Sequence, residues 1–145
     1  MRELPKITSA MLVVTHGCNL RCRYCFVQKE PQRMALSTAK DAARFLMANA
    51  VASGGGTPEI NFFGGEPMLE FDTVIKPLVE WVHDELGKPF RFSITTNGTL
   101  LTDERIRFMQ RHGFGLLLSM DGNAPVQDYN RPCADGKGSF TIPVS

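Results

Sequence analysis

The sequence predicts an α/β fold built on a parallel sheet, and three observations carry that prediction. Short apolar or alternating runs recur at residues 10–15, 59–63, 90–95 and 116–120. Apolar residues at helical spacing fill each interval between them. Each run ends in a loop rich in glycine, asparagine or cysteine. Strands alternating with helices give parallel strands joined by right-handed crossovers.

The elements follow in order. Ala10, Met11, Leu12, Val13 and Val14 form a continuous apolar run, which reads as a strand buried on both faces. A cysteine-bearing loop extends to about Arg33. Ser37 or Thr38 can cap a first helix, in which Ala39, Ala42, Ala43, Leu46 and Ala50 share a face. The glycine run from Ser53 to Pro58 breaks it. Residues 59–63 form a second strand, stopped by Gly64 and Gly65. Val74, Ile75, Leu78, Val79, Val82 and Leu86 lie along one face of a second helix. With Thr73 as its cap, Pro77 falls in the first turn, where amides have no partner inside the helix. Gly87 suits the stop. Phe90, Phe92 and Ile94 alternate with Arg91, Ser93 and Thr95 in a third strand. Thr102 caps a third helix whose first turn holds Asp103 and Glu104, where the dipole favours negative charge. His112 and Gly113 end it, and residues 116–120 make the fourth strand. Beyond Asp121, the residues Gly122, Asn123, Pro125, Pro132, Gly136 and Gly138 predict loop.

Length and charge narrow the function classes. The 145 residues support one domain, and 16 Lys+Arg against 15 Asp+Glu leave a net charge of +1. No basic stripe is present to grip nucleic acid. No run approaches the ~18 apolar residues of a membrane span, and Met1 to Lys6 shows no apolar leader. The expectation is a cytoplasmic protein without nucleic-acid or membrane partners, with its thiols reduced.

The cysteines point to chemistry. Three of the four, Cys18, Cys22 and Cys25, fall in one short loop directly after the first strand. In parallel sheets, ligands gather at the carboxyl ends of the strands, where loops converge. Three thiolates on one loop can hold three irons of a cubane and leave the fourth iron open, whereas electron-transfer clusters close it with a fourth cysteine. Spacing alone leaves open, as the lesser alternative, a structural zinc held by the three thiols with His16 or Cys133. The second strand ends in Gly64, Gly65, Glu66 and Pro67, where glycines admit close approach and Glu66 offers a carboxylate to an ammonium. The third ends in Thr96, Asn97 and Gly98, which a simple turn also explains. The fourth ends in Ser119, Met120 and Asp121. Tyr24, Phe26 and Val27 are candidates to pack on a planar ligand or to shield the site. Arg131 is a candidate partner for a carboxylate, or for Asp128 in a surface ion pair. Met11, Met47 and Met109 read as core filler, and Trp81 as partly buried. His83 and His112 read as helix-surface residues, and Cys133 as a spare loop thiol.

The Cys-x3-Cys-x2-Cys loop with Tyr24 before its last cysteine resembles the signature of the radical S-adenosylmethionine enzymes. The stretch from Gln127 to Arg131 and from Gly136 to Phe140 resembles the subgroup of anaerobic sulfatase-maturating enzymes and related peptide maturases. The resemblance covers about Met11 to Phe140. It implies an incomplete (β/α)6 partial barrel with about four of its strands, the N-terminal portion of a longer core domain. A cysteine-rich extension for auxiliary clusters would lie outside residues 1–145. The resemblance also implies a [4Fe-4S] cluster on Cys18, Cys22 and Cys25. S-Adenosylmethionine would then be held by Gly64, Gly65, Glu66, Asn97, Ser119, Arg131 and Tyr24. A peptide or protein substrate and an external one-electron donor of flavodoxin or ferredoxin type complete the expectation. No catalytic residue beyond the cluster can be assigned from it.

Overall fold

The computed structural model describes residues 6–141, so most of the N-terminal segment read for a leader lies outside the described residues. Four strands form one sheet in the order β1-β2-β3-β4: β1 Ser9–Thr15, β2 Glu59–Gly64, β3 Arg91–Thr96 and β4 Gly115–Leu118. Every pairing is parallel, as the strand-helix alternation predicts. The helices α1 Leu36–Ala52, α2 Lys76–Trp81, α3 Asp103–Arg111 and α4 Ala124–Asn130 follow the four strands.

One face of the sheet carries the core. Leu12, Val14, Ile60, Phe62, Phe92 and Ile94 are buried against Ala43 and Leu46 of α1, Leu78 and Val79 of α2, and Phe108 of α3. Phe62, Phe92 and Phe114 stack at ring-centroid distances of 5.5–6.1 Å. Each large side chain withdrawn from water contributes roughly 1.5–3 kcal/mol. No helix among the described residues is long and apolar enough to cross a membrane.

The opposite face corrects the reading of β1 as a strand buried on both sides. Met11 is 59% exposed, so it is not core filler, and Val13 is exposed too. Among the described residues no layer covers this face, where Leu117 of β4 also stands open.

Three helix boundaries differ from expectation. The first helix starts at Leu36 behind Ala35, without a side-chain cap, rather than behind Ser37 or Thr38. The second helical segment begins earlier than Thr73. It runs as a 3-10 turn Pro67–Glu70, a wide turn Phe71–Ile75, then α2, then a second wide turn Val82–Leu86. Its cap is Glu66, whose Oε1 accepts from the Met68 N–H at 3.0 Å, while the Thr73 hydroxyl donates to Glu70. Pro77 is accommodated because the wide turn before it has already shifted the hydrogen-bond ladder. The predicted loop after Asp121 contains α4, capped by Asn123 with Pro125 in the first turn. That pairing of cap and proline is a helix start.

Candidate functional site

The carboxyl ends of the four strands meet at one cavity of about 150 Å³. Cys18, Cys22 and Cys25 line it, as do Gly64, Gly65 and Glu66 from β2, Thr96 and Asn97 from β3, Ser119 beyond β4, and Tyr24 and Arg131. All four cysteines are free. Cys133 lies in a different cleft with Asp135 and Lys137, and His16 faces Glu30 at 4.0 Å. Among the described residues no three His, Cys, Asp or Glu side chains converge on the position of a single ion. The donor set for one zinc is therefore not assembled. A cubane asks for something else, one thiolate on each of three separate irons, and three cysteines lining one cavity fit that demand.

The cysteine loop is held at both ends and in the middle. The His16 N–H donates to the Gln32 carbonyl and the Met34 N–H to the Val14 carbonyl, at 3.0 and 2.8 Å, which closes the loop at its base. The N–H groups of Arg21 and Arg23 donate to the carbonyls of Pro132 and Asn130. The Arg23 guanidinium lies 4.2 Å from the Tyr129 ring centroid. The chain after α4 is thus a strap across the loop.

The two glycines serve that loop directly. A Cβ on Gly65 would sit 2.1 Å from the Gly17 carbonyl oxygen, and one on Gly64 would sit 2.2 Å from that of Thr15. Gly64 also has φ +145, a conformation that L side chains rarely adopt. This bareness lets the Gly65 and Glu66 N–H groups bond to Thr15 and Gly17. It brings β2 against the cysteine loop.

Glu66 is 1% exposed. Oε1 accepts from the Met68 N–H and from the Thr96 hydroxyl at 2.6 Å, and Oε2 accepts from the Asn97 N–H at 2.8 Å. Both oxygens thus hold the strand ends in place. Burial pushes the carboxyl above its ordinary value, against the pull of these donors.

The thiols differ in their surroundings. Burial raises Cys18 and Cys22. Burial also works upward on Cys25, but the Lys29 ammonium, 2.8 Å from its Sγ, together with the backbone at Val27 and the Arg131 charge, outweighs it and the net shift is downward. Cys18 Sγ accepts from the Leu20 N–H at 3.3 Å.

Arg131 does not pair with Asp128. Its guanidinium donates to the Tyr24 hydroxyl at 2.6 Å and faces Asp121 at 3.5 Å, and Tyr24 donates to Asp121 at 2.8 Å. Arg131 is 8% exposed, and its Nε has no hydrogen-bond partner. Asp128 instead accepts from the Phe140 N–H. Phe26 stacks on Phe63 at 6.4 Å beside the cavity.

Lys29 and Asp121 escaped sequence reasoning as members of the site. A lysine four residues beyond a cysteine was a usable signal for the first. The Asp121 contacts are long-range and leave no local pattern.

The comparisons with known proteins agree with this geometry. The chain is 32% identical over 131 residues to the serine-type anaerobic sulfatase-maturating enzyme of Klebsiella aerogenes, covering 86% of this chain and 32% of that protein. It is 25% identical over 144 residues to the cysteine-type anaerobic sulfatase-maturating enzyme of Clostridium perfringens, covering 95% and 39%. The chain thus spans only 32–39% of the length of these curated relatives. The solved structure of native anSMEcpe with bound AdoMet superimposes with a TM-score of 0.78 at 28% identity, over 92% of this chain and 37% of that one. The same protein with bound AdoMet and the Cp18Cys peptide gives 0.77. The family model of the Radical SAM superfamily matches residues 12–142. A match that runs from β1 past the strap takes in all three loop cysteines and every strand end around the cavity, and by it the chain belongs to the Radical SAM superfamily, whose enzymes use a [4Fe-4S] cluster and S-adenosylmethionine.

Proposed function

We propose that the chain forms the cluster-binding and S-adenosylmethionine-binding part of an enzyme that abstracts hydrogen from a peptide or protein. The observation that carries this reading is the convergence of three thiols and three strand ends on one cavity. Cys18, Cys22 and Cys25 would each ligate one iron. A bound cluster of this kind would, once reduced, supply the one electron that splits the sulfonium C–S bond into methionine and a 5′-deoxyadenosyl radical.

The chain's own groups bind and orient. The backbone carbonyls of Gly64 and Gly65 would accept from the cofactor's ammonium, in an edge fixed by Glu66. Arg131, held by Tyr24 and Asp121, offers its fork to the carboxylate. Ser119 would contact the remaining polar groups, and Asn97 and Tyr24 would line the cofactor's cavity. Phe26 and Phe63 stack along one wall of the cavity.

The peptide substrate is inferred from the sulfatase-maturating relatives and from the peptide-bound neighbour. A flavodoxin- or ferredoxin-type protein would deliver the electron. Reduced thiols at an oxygen-sensitive site suit the cytosol.

The test is an anaerobic assay of the reconstituted chain with S-adenosylmethionine and dithionite, read by mass spectrometry. The reading predicts 5′-deoxyadenosine from the parent and none from Cys22→Ala. Equal product from both proteins would overturn it.

A further inference from the structure

Asn97, Asn19 and Thr99 close a ring of hydrogen bonds beside Cys18. The Asn97 amide donates to Asn19 Oδ1 at 3.0 Å, the Asn19 amide donates to the Thr99 hydroxyl at 2.7 Å, and that hydroxyl donates to Asn97 Oδ1 at 2.7 Å. Each group accepts from one neighbour and donates to the next, so the three bonds polarise one another in the same sense.

The ring settles which way the Asn97 amide points. The Thr99 backbone N–H lies 3.0 Å from Asn97 Oδ1. A backbone N–H only donates, so the atom facing it must be the carbonyl oxygen. The amino group is then turned to the other edge, where it meets Asn19 Oδ1 and, at 3.9 Å, the Cys18 sulfur. Its two hydrogens match those two acceptors. The backbone beneath is pinned as well, because the Asn97 N–H donates to buried Glu66.

We propose that Asn97 is a positioning residue that aims an N–H donor at the Cys18 sulfur, with Asn19 and Thr99 fixing its orientation. This rests on the reading of Cys18 as a cluster ligand. Donors to thiolate sulfur favour the reduced, more negative cluster and raise its potential. The ring therefore sets how readily the cluster accepts its electron, before S-adenosylmethionine or substrate arrives.

The experiment measures the midpoint potential of the reconstituted cluster by electron paramagnetic resonance, without S-adenosylmethionine, in the parent, Asn97→Leu and Thr99→Val. Asn97→Leu keeps the approximate volume, removes the donor and adds no charge. Its equilibrium for reduction should fall at least tenfold, about 59 mV for one electron. Thr99→Val removes the hydroxyl from the ring and keeps the backbone donor, so its potential should fall by less. If both variants hold their iron and share the parent's potential, the ring is merely structural and the proposal is overturned. Failure of the parent itself to take up iron would overturn the cluster reading and this proposal with it.

Discussion

The Asn97 backbone amide donates to Glu66 Oε2 at 2.8 Å, so the ends of β2 and β3 are tied through a carboxylate that water barely touches. The Thr96 hydroxyl donates to the other oxygen of the same group. Replacing Thr96 by Val leaves a buried carboxylate one donor short. The expected cost is about 1–3 kcal/mol in denaturant unfolding of the metal-free chain.

Glu66 also sets a pH dependence. Its carboxyl lies above the ordinary 4.5 in the folded chain, chiefly through burial. The folded state therefore binds the proton more tightly than the unfolded state. The stability this confers is complete below the ordinary value and is lost as pH rises through the raised one. Unfolding free energies across that window should fall with rising pH in the parent. The fall should be absent in Glu66→Gln, and parallel curves would contradict the assignment.

A methyl group at position 65 has nowhere to go, since it would meet the Gly17 carbonyl at 2.1 Å. Gly65→Ala should push the cysteine loop away from β2, at about 1–3 kcal/mol by analogy with other overpacked sites. Iron uptake should drop while the far-ultraviolet circular dichroism stays that of the parent.

Lys29 distinguishes Cys25 from the other thiols. In the metal-free chain Cys25 is lowered, whereas Cys18, Cys22 and Cys133 are raised. Below the ordinary thiol value, Cys25 holds the largest thiolate fraction. Mass-spectrometric mapping should find it alkylated first by iodoacetamide, and Lys29→Met should slow it several-fold.

Much of this was legible in the sequence. Alternating Phe92 and Ile94, the Thr102 cap and the face of Ala39, Ala43, Leu46 and Ala50 are local patterns, and each matches its element. The errors have physical causes. The glycines and prolines after Asp121 masked the Asn123 cap of α4. Apolar Met11 and Val13 look like core residues because sequence does not tell which face is covered. At the site, the cysteine spacing and the glycine pair are visible in one dimension. The bonding of Tyr24 to Arg131 spans 107 positions, and no local pattern announces it. Glu66 reads as a ligand-facing acid, yet its oxygens face backbone and hydroxyl donors that only the fold brings near.

The account's central claim is tested most directly by the metal content of the anaerobically reconstituted chain and its single-cysteine variants. The parent and Cys133→Ala should each bind about four irons, as one cubane requires. Cys18→Ala, Cys22→Ala and Cys25→Ala should each lose most of them. A parent that takes up one zinc and no iron, or a metal site that Cys133→Ala abolishes, would contradict it.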